Sequence, residues 1–379
     1  MKKKVCILGS TGSIGSSTLE IISKDKKSFH VVLLSANRNF KLLISQSIKY
    51  KPKYIYSNNF FLIEKIKSFC KKKKIVIITD INQLKKIKFD ITVSAISGIA
   101  GLLPTLNIIK FSKKILIANK ECIICGWKFI YEELKKYNCS FTPIDSEHFS
   151  IFNLIQNKNK GLIKNIYLTA SGGPLFGKKV NLKEVTPAQA AKHPNWKMGK
   201  KISIDSANLM NKILEVIEAS LIFKMPISKF KIIIHPQSLI HAIVEFKNGL
   251  SSMLHHHNDM KIPIANSLYG DFYANKAINN NFVFKKKLSF YEVNIKKIPS
   301  IKILGLTKVL NETGFVLINV LNETLVHKFI QNKILFTDIV LKLLNILNSK
   351  TVKNYLKNNK IRHINDVFKT YNFCRSLVH

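Results

Sequence analysis

Near its start the chain has an apolar run followed by a glycine-rich turn, VCILGSTGSIG (residues 5–15). The run predicts a strand, and the residues after the turn have the spacing of a helix. Gly9 and Gly12 would let the backbone turn tightly against a bound pyrophosphate, and Gly15 would let the helix pack close to the strand. The free N–H groups at the start of a helix attract phosphate oxygens. The pattern therefore indicates a dinucleotide site; an ordinary strand–turn–helix connection is the alternative.

The next predicted strand ends in a segment that indicates which dinucleotide is bound. NAD-selective sites have Asp or Glu at this point, because a carboxylate accepts hydrogen bonds from the ribose 2′-hydroxyl. This chain has Ser35-Ala36-Asn37-Arg38-Asn39 instead. Arg38 could pair with a 2′-phosphate, which favours NADP. The alternative is that Arg38 is a solvated loop residue in a very basic protein.

The order of predicted elements indicates an α/β protein with three parts. Short β-rich runs alternate with helical segments as far as residue 148, which predicts a doubly wound, Rossmann-like parallel sheet. Later strands with longer connections predict a central α+β catalytic domain, and helical spacing at the end predicts a C-terminal helical bundle. The predicted domains are 1–148 for nucleotide binding, 149–290 for catalysis and dimerisation, and 291–379 for the helical domain with its linker. The predicted strands are 5–9, 30–36, 75–79, 90–96, 114–119, 141–145, 163–170, 231–234, 239–246 and 251–256; the predicted helices are 14–23, 126–137, 304–311, 314–330, 336–348 and 352–359.

Composition limits the kinds of partner. The chain has 61 Lys+Arg and 22 Asp+Glu, a formal net charge of +39. Its lysine clusters, such as 71–74 and 85–88, are not interleaved with aromatic residues, so we expect no nucleic acid partner. No apolar run of about eighteen residues occurs, so we expect no membrane-spanning helix. The six cysteines are scattered and the start does not resemble a secretory signal, which indicates a cytoplasmic protein.

Two carboxylates follow an apolar strand in PIDSEH (residues 143–148). Residues two apart on an extended chain point to the same side, so Asp145 and Glu147 could bind one cation. Paired carboxylates are typical ligands of hard ions such as Mg²⁺ or Mn²⁺. The alternative is the start of a helix, where acidic residues complement the helix dipole.

A second polar cluster lies in DSANLMNKILE (residues 205–215). On a helix Asn211, Lys212 and Glu215 would share one face, because they are three and four residues apart. With Ser206 at the helix start, this face could hold a metal and an anionic group together. The alternative is an exposed Lys212–Glu215 ion pair, which contributes little to stability.

Two loops add candidate ligands. TASGGP (residues 169–174) ends a strand in a turn whose hydroxyl and N–H groups could bind phosphate. KHPNWKMG (residues 192–199) places a histidine and a tryptophan in a polar loop. The tryptophan is either part of a lid over a ligand or an anchor against a neighbouring domain.

Taken together, these motifs resemble those of the 1-deoxy-D-xylulose 5-phosphate reductoisomerase family, whose enzymes act in the methylerythritol phosphate route to isoprenoid precursors. PIDSEH, HPNWKMG and KISIDSA are the most specific parts of the resemblance. The chain departs from the family pattern at Phe149, at Leu175 and in the turn HHNDM (residues 256–260). The matching motifs cover most of the chain in order: GSTGSIG (9–15), AGLLPTL (100–106), ANKE (118–121), PIDSEH (143–148), SGGP (171–174), HPNWKMG (193–199), KISIDSA (201–207), NKILE (211–215), HPQS (235–238) and a weaker LNE (321–323).

The resemblance implies a two-stage reaction of a sugar phosphate. A Mg²⁺ or Mn²⁺ ion would chelate the ketone and an adjacent hydroxyl of 1-deoxy-D-xylulose 5-phosphate and act as a Lewis acid while the carbon skeleton rearranges. NADPH would then reduce the branched aldehyde to 2-C-methyl-D-erythritol 4-phosphate. The expected enzyme is an NADP-dependent oxidoreductase with an intramolecular isomerase step, acting as a homodimer.

The resemblance also assigns roles to individual residues. Asp145, Glu147 and Glu215 would hold the metal, and Lys120, Glu147 and His193 would be catalytic. His193, Trp196 and Met198 would belong to a lid that excludes water. Substrate contacts would come from Ser146, Glu147, Ser171, His193, Trp196, Ser206, Asn211, Lys212 and Glu215, of which Ser171, Ser206, Asn211 and Lys212 would bind the phosphate. Cofactor contacts would come from Thr11, Gly12, Ser13, Ile14, Asn37, Arg38, Asn39, Asn119, Glu121 and Gly199.

Other classes of protein are weaker alternatives. Cys122 and Cys125 form a C-x-x-C pair, but a structural zinc site needs four well-spaced ligands, and three successive histidines at 255–257 cannot all face one ion. We interpret the cysteines as small apolar residues of a helix. A simple dehydrogenase would need the nucleotide fold but no metal, so turnover that resists chelation would identify it.

Overall fold

A computed structural model describes residues 1–85, 87–196, 198–270, 287–294, 298–307 and 310–378. The chain divides into two compact units. The first unit comprises Met1–Cys122, Lys128–Phe149 and the described residues from Met260 to Gly270. The second unit comprises Ile123–Trp127, Ser150–Asp259 and the described residues from 287 onward. The three-domain division with boundaries at 148 and 290 stays a prediction.

The described residues form strands and helices with the following bounds. The strands are β1 (Lys3–Leu8), β2 (Phe29–Ser35), β3 (Tyr54–Tyr56), β4 (Val76–Ile78), β5 (Phe89–Ser94), β6 (Ser112–Ile117), β7 (Ser140–Pro143), β8 (Ile163–Ala170), β9 (Phe230–Ile234), β10 (Ile240–Phe246), β11 (Ser251–His255) and β12 (Tyr291–Glu292). The helices are α1 (Ser13–Lys24), α2 (Phe40–Tyr50), α3 (Phe60–Lys73), α4 (Leu102–Ile109), α5 (Lys120–Lys136), α6 (Ser146–Ile155), α7 (Pro187–Ala190), α8 (Lys200–Ala207), α9 (Met210–Phe223), α10 (Lys261–Tyr269), α11 (Ile301–Leu306), α12 (Glu312–Ile330), α13 (Phe336–Asn348), α14 (Lys350–Asn358) and α15 (Ile364–Ser376).

The first unit is built on a seven-stranded sheet in the order β4-β3-β2-β1-β5-β6-β7. All its strand pairs are parallel. β1 lies at the centre, and Val5, Ile7 and Leu8 are fully buried, as expected for a parallel strand covered on both faces. The strand order reverses at β1, between β2 and β5, which is the switch point where open α/β sheets bind ligands. The predicted doubly wound sheet is confirmed.

A helix from much later in the sequence belongs to the first unit. α10 packs on α1, and its Leu268 joins the apolar core that lies against the sheet. The Tyr269 hydroxyl donates to a carboxylate oxygen of Asp25 at 3.0 Å, and Lys114 Nζ donates to the backbone carbonyl of Ser267 at 2.7 Å. No local pattern in the sequence predicted this helix, because its packing partners lie far away in the chain.

The second unit contains a five-stranded mixed sheet in the order β11-β10-β8-β9-β12. β8 and β9 pair in parallel, while β10 is antiparallel to both β8 and β11. α9 packs on β8 and β9 and buries Val216, Ala219 and Phe223 in the core of this unit. The central α+β arrangement is therefore as predicted. Because β8 and β9 are parallel, the loops that follow them open at the same edge of the sheet.

The end of the chain is helical, as predicted. α12 packs against α13 and α15 and is buried on almost all sides, as expected for a helix surrounded by others. The helix predicted over 304–311 is wrong in position: α11 spans Ile301–Leu306, and residues 308–309 lie outside the described residues. The helix begins directly after its N-cap residue Ser300, whose buried hydroxyl donates to the Asn208 carbonyl at 2.6 Å, a long-range contact that no local pattern shows. No helix in the described part of the chain has the length and hydrophobicity needed to cross a bilayer.

Candidate active site

The glycine-rich turn between β1 and α1 can be built only from glycine at two positions. Gly9 has φ +82°, and a Cβ there would lie 2.5 Å from the carbonyl oxygen of Ala95. A Cβ on Gly15 would collide with the carbonyl oxygen of Gly9. At Gly12 a Cβ would make only an ordinary contact, 3.4 Å from Gly9 O, so the fold itself leaves this space open. The turn thus has the close backbone and the helix start that a pyrophosphate requires.

Side chains from the next strand and helix brace this turn. The Ser35 hydroxyl accepts from the Gly9 N–H at 2.8 Å, and the Ser35 carbonyl accepts from the Ser10 N–H at 2.8 Å. The buried Gln46 amide of α2 donates to the Ser10 carbonyl and accepts from the Ser10 hydroxyl. The bracing roles of Ser35 and Gln46 were not predicted from the sequence. The only signal in the sequence was that Ser35 lies near the end of the strand predicted over residues 30–36.

The loop after β2 exposes the residues predicted to bind the 2′-phosphate. Asn37, Arg38 and Asn39 are all exposed. The Asn39 side chain caps α2 by accepting from the Leu42 N–H at 3.1 Å, and the Asn59 amide donates to the Asn37 carbonyl at 2.7 Å. The backbone on both sides of Arg38 is therefore held, while the guanidinium faces solvent at the carboxyl edge of the sheet.

Acidic and basic groups meet where β6 and β7 end. These strands are parallel neighbours, with Ile117 opposite Pro143, so Lys120 and Asp145 follow at the same edge. Lys120 Nζ lies 3.5 Å from Asp145 Oδ2, and Nδ1 of the fully buried His148 lies 3.6 Å from Asp145 Oδ1. Asp145 and Glu147 are both partly exposed. The Asp145 carboxylate is thus oriented from two sides and can still accept a further ligand.

Glu147 and Asn119 have defined partners within the same unit. The Ser146 hydroxyl donates to Glu147 Oε2 at 2.5 Å. The Asn119 side chain caps α5 by accepting from the Cys122 N–H at 3.0 Å, and its amide donates to the carbonyl oxygens of Gly98 and Ile96. Asn119 therefore fixes the start of α5, which carries Lys120 and Glu121. Cofactor contacts of Asn119 and Glu121 stay a prediction.

In the second unit the loop after β8 lies directly against the end of α8. Gly172 and Gly173 have φ +83° and +73°, and a Cβ on Gly173 would lie 2.5 Å from the carbonyl oxygen of Ser206. The Ser171 hydroxyl accepts from the Gly173 N–H at 3.1 Å. The structure thus brings Ser171 and Ser206, two of the predicted phosphate ligands, into one region, and both are partly exposed.

The helix that follows carries a buried charged cluster. Lys212 Nζ lies 2.5 Å from Glu215 Oε2, and the Asn211 amide donates to Glu215 Oε1 at 2.5 Å. Lys212 and Glu215 are 4% and 2% exposed, so the alternative of a solvent-exposed ion pair is wrong. Glu218, one turn further on, is also buried, and its helical spacing from Glu215 could have identified it in the sequence.

A second buried carboxylate holds α8 in place. Asp205 is 1% exposed; it accepts from the Asn322 amide at 2.8 Å and lies 3.4 Å from Lys201 Nζ. Asn322 belongs to α12, so this bond connects the helical part of the unit to the helix end that carries Ser206. The weak LNE match at 321–323 was the only signal for Asn322 in the sequence.

The segment that precedes α8 places His193 beside Ser171. His193 Nε2 lies 2.9 Å from the Ser171 hydroxyl. Burial, together with the positive charge of Lys212, lowers the pKa of His193 to about 4, so the ring is neutral near pH 7. The Trp196 ring contacts His241 edge-on, and Gly199 forms the N-cap of α8. The predicted lid roles of His193, Trp196 and Met198 and the cofactor role of Gly199 stay predictions.

Three family models match consecutive parts of the chain. One described as 1-deoxy-D-xylulose 5-phosphate reductoisomerase matches residues 5–126. Two models of C-terminal domains of the same reductoisomerase match residues 141–223 and 256–377. A relative of that name from Pelagibacter ubique (strain HTCC1062) is 44% identical over 383 residues, covering 96% of each protein. The chain belongs to the 1-deoxy-D-xylulose 5-phosphate reductoisomerase family.

Other members of the reductoisomerase family agree over the full length. A relative from Wolbachia pipientis wMel is 36% identical and covers 100% of this chain and 97% of its own. A solved reductoisomerase in complex with NADPH, fosmidomycin and magnesium has a TM-score of 0.90 at 29% identity and covers 99% of this chain and 98% of its own. The Zymomonas mobilis enzyme in complex with NADPH has a TM-score of 0.88 at 31% identity, covering 100% and 98%. The family resemblance inferred from the motifs is confirmed.

The cysteine pair that suggested a zinc or redox protein belongs to the packing of a helix. Cys122 and Cys125 lie on α5 and are 0% and 4% exposed. All six cysteines are buried thiols. Cys122 contacts the Thr105 hydroxyl at 3.9 Å, a contact of ordinary helix packing. The interpretation of these cysteines as small residues of a helix agrees with this burial.

Replacement of Gly173 by alanine should weaken the binding of inorganic phosphate, with Gly177→Ala as the matched control. Both glycines have nearly the same φ, +73° and +74°, so both variants carry similar backbone strain. A Cβ on Gly177 would meet nothing within 4 Å, whereas one on Gly173 would displace the Ser206 backbone. We expect the Kd for phosphate, measured by calorimetry, to be about tenfold higher in Gly173→Ala than in Gly177→Ala. Equal affinities would mean that contact between the loop and α8 does not shape the site.

Proposed function

We propose that this protein carries out the reaction of its family, the NADPH-dependent rearrangement and reduction of 1-deoxy-D-xylulose 5-phosphate to 2-C-methyl-D-erythritol 4-phosphate. The observation that carries the proposal is the buried Lys212–Glu215 pair with Asn211, in a chain that matches the family from end to end. Apolar replacements of buried ion pairs are often neutral or stabilising, so stability alone is a weak reason for this cluster.

The phosphate of the substrate would bind in the second unit. Ser171, Ser206, Asn211 and Lys212 offer two hydroxyls, an amide and an ammonium group. The Lys212 ammonium is buried, and low local dielectric strengthens its attraction for an anion. The large excess of positive charge on the chain would also attract a small anionic substrate from solution.

NADPH would bind to the first unit, where the turn at Gly9–Gly12 fits a pyrophosphate. Thr11, Gly12, Ser13 and Ile14 occupy the turn and the start of α1, where N–H groups are not used within the helix. Arg38 would pair with the 2′-phosphate, since its loop is fixed by Asn39 and by Asn59 while its side chain is exposed. The nucleotide supplies the hydride for the reduction step.

A Mg²⁺ or Mn²⁺ ion would be held by Asp145, Glu147 and Glu215. Carboxylate oxygens are the ligands that these hard ions prefer, and each of the three carboxylates has a neighbour that fixes its orientation. The ion would act as a Lewis acid on the oxygens of the substrate. The choice between magnesium and manganese is tested by comparing turnover with each.

The remaining candidate residues would contact the substrate or exclude water from it. Lys120, 7% exposed beside Asp145, would stabilise negative charge on a substrate oxygen, and Ser146 would contact the substrate through its hydroxyl. His193, Trp196 and Met198 would cover the bound substrate and exclude water. Because His193 is neutral at pH 7, it would contribute a hydrogen bond and not a positive charge.

Glu215→Gln should abolish metal-dependent turnover while NADPH binding is retained. Loss of one carboxylate from the metal should lower kcat at least about a hundredfold with 1-deoxy-D-xylulose 5-phosphate. The assay is NADPH oxidation with and without Mg²⁺ or Mn²⁺, with product analysis for the branched polyol phosphate. Glu292→Gln, an exposed glutamate, is the control and should match the unmodified enzyme. Turnover that survives chelation in the unmodified protein would instead support a simple dehydrogenase.

Arg38→Ala should impair use of NADPH selectively. Removal of a charge-assisted hydrogen bond to the 2′-phosphate should reduce kcat/KM for NADPH about 10- to 100-fold. The value for NADH, which lacks this phosphate, should change little. Arg38→Lys keeps the positive charge, so its kcat/KM for NADPH should lie between the values of Arg38→Ala and the unmodified enzyme. An equal loss with both cofactors would contradict the assignment of Arg38.

We also propose that the protein is a homodimer that works in the cytoplasm. β11 is an edge strand, and Leu250 and Met253 expose large apolar side chains there. Exposed apolar edges are sites where a second chain can pair. The six buried cysteine thiols suit a reducing compartment, and cell fractionation can test this location.

Light scattering should give about twice the 43.3 kDa mass of the chain. Met253→Lys should shift the protein towards monomer, because a charge would be buried at the proposed interface. Leu341→Lys, at an equally exposed leucine of α13, is the matched control and should leave the mass unchanged. A monomer mass for the unmodified protein would refute the dimer.

A further inference from the structure

Residues His193–Trp196, here called the HPNW segment, lie across two neighbouring loops of the second unit. β8 and β9 are parallel, with Ala170 opposite Ile234, and the His235 N–H donates to the Ala170 carbonyl at 2.7 Å. The loops that begin at Ser171 and at His235 therefore leave the sheet side by side. The HPNW segment contacts the first loop through His193 and the second through Asn195.

The contacts of His193 determine which of its ring nitrogens carries the proton. Nδ1 lies 3.2 Å and 3.0 Å from the backbone nitrogens of Asn195 and Trp196, and both N–H groups can only donate. In the neutral ring the proton is therefore on Nε2, which donates to the Ser171 hydroxyl oxygen at 2.9 Å. That oxygen also accepts from the Gly173 N–H. With both acceptor positions of this oxygen used, the Ser171 hydroxyl hydrogen is left to be donated to a third group.

The Asn195 side chain anchors the HPNW segment to the loop that follows β9. Its Nδ2 donates to the Pro236 carbonyl at 2.6 Å and to the Ser238 hydroxyl at 3.0 Å. Both acceptors belong to a rigid turn, since Ser238 is buried with φ +52° and its N–H donates to the His235 carbonyl at 2.9 Å. The N–H groups that face His193 are thus fixed in space by the Asn195 side chain.

We propose that Asn195 is a positioning residue for the phosphate-binding hydroxyl of Ser171, acting through His193. Its amide fixes the backbone N–H groups that select the His193 tautomer, and this tautomer orients the Ser171 hydroxyl hydrogen outward. The same anchor holds the Trp196 ring 5.9 Å from His241. The proposal rests on the proposed function, because that function makes Ser171 a phosphate ligand.

Fluorine NMR of protein labelled with 5-fluorotryptophan tests the proposal without turnover. The chain has only two tryptophans, so two resonances are expected, and Trp127→Phe assigns them. Inorganic phosphate is the titrant, and NADPH and metal are omitted. In the unmodified protein, phosphate should perturb the Trp196 resonance with a measurable Kd. The ¹⁵N spectrum of the His193 ring should show the proton on Nε2.

Asn195→Ala should raise the Kd for phosphate about tenfold and move the Trp196 resonance towards that of a solvated indole. Asn195→Asp, which keeps the shape but loses both donors, should behave in the same way, and Ser238→Ala should give a smaller change in the same direction. In turnover, Asn195→Ala should raise KM for the sugar phosphate more than it lowers kcat. Asn181→Ala, at an exposed asparagine of the second unit, is the control.

The proposal is overturned if Asn195→Ala and Asn195→Asp bind phosphate within twofold of the unmodified protein and leave the Trp196 resonance in place. It is also overturned if His193 carries its proton on Nδ1. If phosphate binds the unmodified protein and binds the Asn195 variants about tenfold more weakly, but the unmodified protein shows no turnover, the proposed function is contradicted and the role of Asn195 is supported. The two failures are therefore distinguishable.

Discussion

Parallel pairing of neighbouring strands is the constraint on which the rest of the structure depends. In the first unit it brings the end of β1, with its glycine turn, next to the end of β2, with Arg38. It also brings Lys120 after β6 next to Asp145 after β7. In the second unit one parallel pair, β8 with β9, does the same for the loops that begin at Ser171 and His235. Residues far apart in sequence thus become neighbours, because each crossover connection returns the chain to the same edge of the sheet.

The cost of burying charge explains how the second unit organises its ligands. A buried charge without a partner destabilises a protein by several kcal/mol, so each buried group needs its own partners. Glu215 is matched by Lys212 and Asn211, and Asp205 is matched by Lys201 and Asn322. The first set of contacts orders the start of α9, and the second holds the end of α8 against α12, before any ligand binds. Preorganisation of this kind reduces the entropic cost of ordering side chains when a ligand binds.

Local patterns allowed much of the fold to be predicted from the sequence, and long-range contacts account for what was missed. The glycine spacing after β1 and the apolar runs predicted the Rossmann-like sheet, because each signal lies within a few residues. β3 and β12, of three and two residues, are too short to show a period. α10 joins the first unit through contacts with residues such as Asp25, which no local pattern reveals. Likewise, the motif containing Asn195 was recognised, but its bonds to Pro236 and Ser238 were not.

The high lysine content of the chain makes the lysines of the site hard to recognise in the sequence, but their burial in the structure identifies them. The chain has 61 Lys+Arg, so a lysine in a motif carries little information by itself. Among the residues that the structure describes, Lys120 and Lys212 are the buried lysines, and each lies beside a carboxylate. An exposed lysine hardly changes the stability of the fold, so a coding bias can raise the number of exposed lysines. A buried ammonium group, in contrast, must lose its hydration, which destabilises the fold. Because, within the described ranges, that cost falls on Lys120 and Lys212 alone, burial separates these two lysines from the many exposed basic residues.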